Sequence, residues 1–266
     1  MSRFAGAATY YHEFRPGIPR GVVRILVDAV ADEPSRTLLD LGTGTGQVVR
    51  ALRLFFTEII GVDSDGEMLR LAENSIRSAA PDTRIAFHHS PAEDFTPPAG
   101  WRASLATICR AFHWMDQAGT LHRIAPYVHE QGAVAVFGDS SFWEIGSDWA
   151  VAVRRMIQEF LGEQRRAGAG VFVYHNRPCG EILAESPFGV VEETRVPVRR
   201  TWTSGSVIGY LYSTSFAARP LFGDRAQVFE RRVREVLAGF SSDGTLVEEN
   251  EFRIHVGRKG SRRTIA

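Results

Sequence analysis

The sequence predicts an α/β fold, a doubly wound and mostly parallel sheet of seven strands that carries a helical cap. Strand-like apolar runs alternate with amphipathic helical stretches over residues 37–138 of the 266-residue chain. Such alternation is typical of parallel strands whose connecting helices cover both faces of the sheet. A glycine-rich turn follows the first strand, and the other polar landmarks also fall at strand ends. Ligands of such sheets bind at those ends.

The glycine-rich turn is the strongest local signal. The apolar run 37–41 ends in three alternate glycines, Gly42, Gly44 and Gly46, and a helical pattern begins directly after them. Glycine permits both a positive-φ turn and the close approach of a ligand to the backbone. The start of a helix adds N–H groups and partial positive charge. The segment therefore predicts a site for the anionic end of a nucleotide-like ligand.

Asp40 and the glycine spacing discriminate between nucleotide ligands. A carboxylate at the strand tip repels a pyrophosphate and attracts an ammonium group, which S-adenosyl-L-methionine (SAM) carries. The nicotinamide fingerprint also requires a glycine three positions after the second one, where this chain has Gln47. Both features favour SAM over a nicotinamide cofactor.

A second acid, Asp63, ends the next predicted strand, Glu58–Asp63. A carboxylate there can accept hydrogen bonds from both ribose hydroxyls. Nicotinamide sites use the same device, so Asp63 indicates an adenosine ligand without choosing between the two cofactors. The alternative role for Asp63 is the N-cap of the following helix, with Asp65 and Glu67 as first-turn acids. The two roles are compatible.

Three segments resemble the class I SAM-dependent methyltransferases, in particular the type-11-like small-molecule branch. They are Asp40-x-Gly-x-Gly-x-Gly46, Tyr11-x-x-x-Arg15-Pro and Ala111-Phe-His-Trp-Met-Asp116. The resemblance covers most of the first 140 residues, and Ser104 stands where relatives often have an acid. It implies a Rossmann-like core that uses SAM, releases S-adenosyl-L-homocysteine, and methylates an O, N or C nucleophile of a small-molecule acceptor.

The predicted site residues fall into two groups. The cofactor group is Tyr11, Arg15, Asp40, Gly42, Thr43, Gly44, Gly46, Asp63, Ser64, Met68, Ala92, Glu93, Arg110 and Ala111. The acceptor group is His113, Trp114, Trp143, Tyr174 and Tyr210. The alternative for Tyr11 and Arg15 is the packing of an N-terminal arm.

His113 is the predicted catalytic residue, because an amine, hydroxyl or enol acceptor must lose a proton whereas a carboxylate need not. Tyr174, His175 and Glu144 are substitutes for this role. The alternative for His113 is a packed, hydrogen-bonded side chain.

The pattern also predicts the domain organisation. Residues 1–138 form an N-terminal arm and the SAM-binding core, and 186–202 and 241–258 supply the last two core strands. Helical stretches interrupt the direct pairing of those strands that the family usually has, so 139–185 and 203–240 are predicted to form an acceptor-binding cap. Residues 259–266 are predicted to be a flexible tail.

Composition narrows the classes of partner. Lys+Arg and Asp+Glu balance at 31 each, so no global charge favours nucleic acid or an anionic membrane. Cys109 and Cys179 form neither a metal-ligand cluster nor a disulfide framework. No leader pattern or bilayer-length apolar run is apparent. We therefore expect a cytoplasmic protein with no metal, nucleic-acid or membrane partner, either a monomer or a homodimer. The cations are almost all arginine, a bias typical of high-GC coding, and this bias favours a role in secondary metabolism.

Three rival functions are weighed against small-molecule methylation. A nicotinamide-dependent oxidoreductase is disfavoured by Asp40, by the glycine spacing and by the lack of a Tyr-x-x-x-Lys pair. A non-catalytic SAM-binding scaffold is disfavoured by the intact Asp63 and His113. Methylation of nucleic acid or protein is disfavoured because the chain lacks a basic strip and an Asn-Pro-Pro-Tyr type motif.

Overall fold

The computed structural model describes residues 6–76, 83–168, 170–172 and 177–260. Within them the chain forms two compact units, each with its own hydrophobic core. The core unit comprises the described residues of Gly17–Asp139, His175–Val196 and Phe252–Ala266. The second unit comprises those of Met1–Pro16, Ser140–Tyr174 and Pro197–Glu251.

The strands confirm the predicted sheet. They are β1 (Thr37–Leu41), β2 (Glu58–Asp63), β3 (Arg84–His89), β4 (Ala103–Cys109), β5 (Val128–Asp139), the short β6 (Arg166–Ala167) and β7 (Gly170–Val171), β8 (Val190–Trp202) and β9 (Leu246–Arg258). A seven-stranded sheet has the order β3-β2-β1-β4-β5-β9-β8, and β6 pairs with β7 separately. Strands β1 to β5 pair in parallel, whereas β9 is antiparallel to β5.

The helices connect these strands. They are α1 (Ala8–Phe14), α2 (Arg20–Asp28), α3 (Gln47–Leu52), α4 (Gly66–Ile76), α5 (Gln117–Ile124), α6 (Asp148–Leu161), α7 (Cys179–Ala184), α8 (Ser204–Tyr212) and α9 (Ala226–Ala238). Short 3₁₀ turns cover Phe112–Trp114, Ala125–Tyr127 and Arg219–Arg225. Across the described part of the chain, no helix combines the length and apolarity that crossing a membrane requires.

Two helices differ from the sequence prediction. Helix α1 lies in the arm, where no helix was predicted. The apolar pattern of the sequence predicts a helix over 150–166, but α6 ends at Leu161 because Gly162 has φ of 92°. A residue in that conformation cannot continue a right-handed helix.

The order of the strands creates a switch point between β1 and β4. The chain leaves β1 toward β2 and β3 on one side and returns to β4 on the other. Leu41, at the end of β1, pairs in register with Val62 of β2 and with Ile108 of β4. The carboxyl ends of the three strands therefore lie side by side, which is the usual position of a ligand in this type of sheet.

The observed units differ in detail from the predicted domains. Residues of the N-terminal arm group with the second unit, and β8 and β9 each contribute residues to both units. The tail was predicted to begin at Lys259, yet Lys259 Nζ donates to the Val128 carbonyl at 2.8 Å and lies 2.7 Å from a carboxylate oxygen of Glu130. Residues 261–266 lie outside the described residues.

The core of the second unit contains stacked aromatic rings and a buried carboxylate. The Phe222 and Phe229 rings stack with their centroids 4.0 Å apart. Glu248 is 2% exposed. Its carboxylate accepts hydrogen bonds from Trp202 Nε1 at 2.6 Å and Arg200 Nη1 at 2.9 Å. A buried carboxylate is tolerated there because charged and polar donors satisfy its oxygens.

Candidate active site

The glycine turn has the backbone that its sequence predicts. Gly42, Gly44 and Gly46 have φ values of 67°, 54° and 76°, all in the left-handed region that favours glycine. The Gly46 N–H donates to the Thr43 carbonyl at 2.9 Å and closes the turn. The Thr43 N–H donates to the Val62 carbonyl at 3.0 Å and anchors the turn to β2.

Close packing is a second reason why these positions require glycine. A Cβ on Gly42 would lie 2.4 Å from the Cβ of Ala111, and one on Gly46 would lie 2.8 Å from Cδ1 of Ile76. Both distances are far below van der Waals contact. The turn therefore lies directly against the segment after β4, which contains several predicted site residues.

Asp40 is buried beneath the turn, with 1% of its surface exposed. Its carboxylate accepts hydrogen bonds from Thr43 Oγ1 at 2.6 Å and from Thr107 Oγ1 at 2.7 Å. Burial raises the pKa of Asp40 to about 7, the two threonine hydrogen bonds oppose this rise, and the charge of Asp63 adds to it. Asp40 thus connects β1 and β4 to the turn from within.

Asp63 binds the turn from the tip of β2. Its Oδ2 accepts the Gly44 N–H at 2.7 Å, and its Oδ1 accepts the Asp65 N–H at 2.8 Å. Burial raises the pKa of Asp63, although these two hydrogen bonds oppose the change. The capping of α4 belongs to Asp65, whose Oδ1 accepts the Glu67 and Met68 N–H groups at 3.0 and 3.2 Å. Asp63 is therefore not the N-cap of α4, and the alternative role that the sequence offered for it belongs to Asp65.

Hydrogen bonds connect the loop after β2 to β3 and the loop after β3 to the loop after β4. The Ser64 carbonyl lies 3.1 Å from His89 Nε2, and Met68 is buried in α4. Ala92 is buried in the core of this unit. Glu93 Oε1 accepts the Asp116 N–H at 2.9 Å and thereby connects the loops that follow β3 and β4.

Arg110 has an unusual backbone at the tip of β4. Its φ of 56° makes it the one non-glycine residue with a positive φ among the described residues. Its Nε donates to Asp139 Oδ1 at 2.6 Å, and its Nη1 donates to Gln47 Oε1 at 3.0 Å. The side chain is 9% exposed, so its guanidinium lies mostly inside the protein. The left-handed conformation costs a non-glycine residue about 1–2 kcal/mol.

His113 and Trp114 follow in a 3₁₀ turn that begins at the buried Phe112. Their ring centroids are 4.5 Å apart, with planes inclined by 47°. Both side chains are partly exposed. Because Ala111 packs against Gly42, the imidazole is carried on the segment next to the glycine turn.

The remaining predicted residues belong to the second unit. The Arg15 guanidinium lies 5.0 Å from the ring centroid of Tyr11 and 4.9 Å from that of Tyr210. Trp143 makes an edge-to-face contact with Phe216, at 5.5 Å between centroids. Tyr174 lies outside the described residues, as does His175. Within the core unit the structure gathers predicted residues around the turn, and within the second unit Arg15 contacts Tyr11 and Tyr210.

Sequence reasoning missed three residues that hold this region together: Gln47, Thr107 and Asp139. The sequence analysis used Gln47 only as a position where the nicotinamide fingerprint has glycine, whereas in the structure its side chain accepts a hydrogen bond from Arg110. Asp139 ends β5, and its position at a strand tip was the available signal. Thr107 lies inside β4, where nothing in the pattern distinguishes a buried hydroxyl.

Comparison with known proteins identifies this core. Residues 38–132 match the family model of a methyltransferase domain. The match identifies this segment as a methyltransferase domain and supports a class I SAM-dependent methyltransferase. The matched methyltransferase segment lies entirely within the core unit and runs from β1 into β5.

Relatives within this family are distant. A probable S-adenosylmethionine-dependent methyltransferase of Saccharomyces cerevisiae is 24% identical over 128 residues, 48% of this chain and 44% of its own. The match thus spans less than half of that protein. An uncharacterised methyltransferase of Mycobacterium tuberculosis is 25% identical over 238 residues, 88% of this chain and 85% of its own.

A solved structure extends the comparison to the fold. It is a candidate type II methyltransferase from Anaeromyxobacter dehalogenans, with 20% identity and a TM-score of 0.65. The match covers 92% of this chain and 98% of that one. Within the described residues, no group of three or more His, Cys, Asp or Glu side chains could hold a metal ion.

Proposed function

We propose that this methyltransferase binds SAM at the tips of β1, β2 and β4 and transfers its methyl group to a small-molecule acceptor. The observation that carries the proposal is the position of Asp63. Its carboxylate contacts Gly44 N at the glycine turn, while Asp65 caps α4. A carboxylate at this position, half-buried and beside a positive-φ turn, can accept hydrogen bonds from the hydroxyls of an adenosine ribose.

The sheet order supports SAM over a nicotinamide cofactor. The dinucleotide-binding fold has the order 3-2-1-4-5-6 with parallel strands. In this chain the antiparallel β9 lies between β5 and β8. Gln47 begins α3 where the nicotinamide fingerprint has its third glycine, and its amide holds Arg110.

The residues at the turn also fit a polar ligand. Thr45 is fully buried, and its Oγ1 has no hydrogen-bond partner among the described residues. A buried hydroxyl of this kind calls for a partner that the protein itself does not provide. We assign the ribose to Asp63, the adenine to the Ala92–Glu93 loop, and the amino-acid end to the glycine turn and the Arg110–Ala111 backbone.

The bound cofactor supplies an electrophilic methyl group on a sulfonium that leaves readily. The chain's own contribution is to hold the acceptor in line with that methyl group and to exclude water. In this proposal Trp114 is an apolar wall, and His113 accepts a proton from an amine, hydroxyl or enol acceptor. Trp143 and Tyr210 stay predicted acceptor residues, and a secondary metabolite stays the predicted acceptor class.

Calorimetric titration of the purified protein tests the cofactor. We expect micromolar binding of SAM and S-adenosylhomocysteine, no binding of NAD(H), and loss of about 100-fold in affinity in Asp63→Ala, because two charge-assisted hydrogen bonds disappear. Asp65→Ala is the matched control, since it removes a neighbouring carboxylate that caps a helix. Binding of NAD(H) in place of SAM, or equal effects of the two substitutions, would contradict the proposal.

Turnover tests the enzymatic half of the proposal. Wild-type protein with radiolabelled SAM and a panel of phenols, amines and carboxylic acids should transfer label to at least one acceptor. His113→Ala should lose rate on an acceptor that must give up a proton, should recover at a pH where that acceptor ionises by itself, and should be neutral on a carboxylate. A full rate at every pH on both would remove His113 from the mechanism. SAM binding without any transfer would favour the scaffold alternative.

A further inference from the structure

Arg110 connects three elements of the core unit that meet at the proposed site. Its guanidinium binds Gln47 at the start of α3 and Asp139 at the end of β5, while its own backbone ends β4. Its N–H donates to the Phe137 carbonyl at 3.0 Å. Gly138 leaves space for its stem, since a Cβ there would lie 3.3 Å from Arg110 Cγ.

The conformation of Arg110 fixes the position of the next residue. A φ of 56° turns the chain abruptly after β4 and delivers Ala111 against Gly42. If Arg110 adopted the ordinary negative φ, the path of the segment after β4 would change. Because arginine does not favour this conformation, its long-range partners must maintain it.

The sheet order indicates which part of the cofactor this segment meets. This step rests on the proposed function, in which Asp63 of β2 holds the ribose and the loop after β3 meets the adenine. Strand β1 separates β2 from β4. A ligand whose adenosine end lies at β2 and β3 therefore extends its other end across β1 toward β4, where Arg110 turns the chain.

We propose that Gln47, Arg110 and Asp139 form a clamp that positions the segment after β4 for the amino-acid end of SAM. Arg110 is a positioning residue in this arrangement. Its guanidinium binds protein groups, and its backbone presents Ala111 to the glycine turn. The clamp affects affinity for the aminocarboxypropyl group of the cofactor and leaves recognition of the adenosine unchanged.

The test compares two ligands on one variant. Arg110→Gly removes the side chain while allowing the positive φ without strain. It should weaken S-adenosylhomocysteine about tenfold, because binding must then order a segment that the side chain no longer holds in place. Its affinity for 5′-methylthioadenosine, which lacks the aminocarboxypropyl group, should stay within about twofold of wild type. Calorimetry measures the first ligand and NMR titration the second.

Matched variants distinguish a loss of affinity caused by breaking the clamp from one caused by general destabilisation of the protein. Gln47→Glu keeps an acceptor for Arg110 and should retain affinity, whereas Gln47→Leu should reproduce the loss. Adding Gln47→Leu to Arg110→Gly should cause no further loss, because both substitutions break the same contact. Arg84→Ala is the control, since it removes an exposed arginine that pairs with Glu58 at 3.1 Å.

The outcomes distinguish this inference from the proposed function. If wild type binds neither ligand, the proposed function itself is wrong. If wild type binds both and Arg110→Gly binds S-adenosylhomocysteine as tightly as wild type, the clamp has no positioning role. Equal loss of both ligands, with a lowered Tm, would also overturn the inference, because it would indicate a merely structural ion pair.

Discussion

Two left-handed turns, after β1 and after β4, solve one backbone problem by opposite means. The first uses Gly42, Gly44 and Gly46, which have no Cβ to obstruct a positive φ. The second uses Arg110, whose side chain is held by Asp139 and Gln47. The glycine turn depends on its own residue types, whereas the arginine turn depends on distant partners. One is therefore sensitive to an added atom, and the other to a removed contact.

The largest effect should follow from Gly42→Ala. The new Cβ would lie 2.4 Å from the Cβ of Ala111, at a φ of 67°. Strain and overpacking together should lower the free energy of unfolding by about 2–4 kcal/mol, measured by urea denaturation. Gly17→Ala is the control, because nothing lies within 4 Å of the added Cβ. If Gly42→Ala and Gly17→Ala were equally stable, the turn after β1 would not depend on the absence of a Cβ, and the contrast with the turn after β4 would be wrong.

The second effect should follow from Asp139→Ala, which attacks the arginine turn through its partner. Both side chains of the Arg110–Asp139 pair are buried to a similar degree, with 9% and 10% of their surface exposed. Removing the carboxylate leaves an enclosed guanidinium with one fewer acceptor and should cost about 1–3 kcal/mol in urea denaturation. Glu58→Ala, which breaks an exposed pair with Arg84, should cost less than about 1 kcal/mol.

The third effect concerns pH and the support beneath the glycine turn. The folded-state pKa of Asp40 is raised to about 7, above its unfolded value, so the folded state binds more protons between these values. The protonated Asp40 carboxyl therefore contributes its full stability at low pH. This stability is lost as pH rises toward and through 7. The free energy of unfolding, relative to Asp40→Asn, should fall between pH 5 and pH 7 by at most about 1.4 kcal/mol per pH unit.

Asp243 is a control, because its effect on stability should change with pH in the opposite direction to that of Asp40. Hydrogen bonds from Ser241 and Thr245 lower its pKa, so its contribution should appear as pH rises and should be lost only in acid. Urea denaturation of wild type, Asp40→Asn and Asp243→Asn at pH 4, 5, 6, 7 and 8 provides both comparisons. A flat difference between wild type and Asp40→Asn would mean that the buried carboxyl does not titrate in this range.

The smallest effect should distinguish two substitutions at the same position. Arg110→Gly and Arg110→Ala both delete the guanidinium, but only glycine accepts a φ of 56° without strain. The glycine variant should be more stable by about 0.5–1 kcal/mol in thermal or urea unfolding. If alanine were as stable as glycine, the turn after β4 would relax to ordinary backbone once the side chain was lost.

The sequence was sufficient for the elements whose signal is local. The predicted bounds of β2, Glu58–Asp63, are those of the structure, and the sequence pattern also predicts a strand near Arg84–His89, where β3 lies. Apolar patterning sets such strands, and three glycines disclose the turn after β1. The family resemblance was likewise carried by short contiguous motifs.

The features that escaped prediction depend on long-range contacts. Arg110 adopts its conformation beside partners that are 29 and 63 positions away in the chain. The Arg200–Glu248 pair joins residues that are 48 positions apart. Neither pairing leaves a periodic trace, since each needs only one suitable side chain at each end.

The division of β8 and β9 between the two units has a consequence for chimaeras. The second unit is assembled from separate stretches of chain, and its boundaries after Val196 and Glu251 fall inside these strands. A graft that exchanges this unit with that of a relative must therefore be spliced within both strands. A splice displaced by one residue would turn every following side chain of that strand to the opposite face. Recombination of this chain with a relative is thus constrained by strand register as well as by loop length.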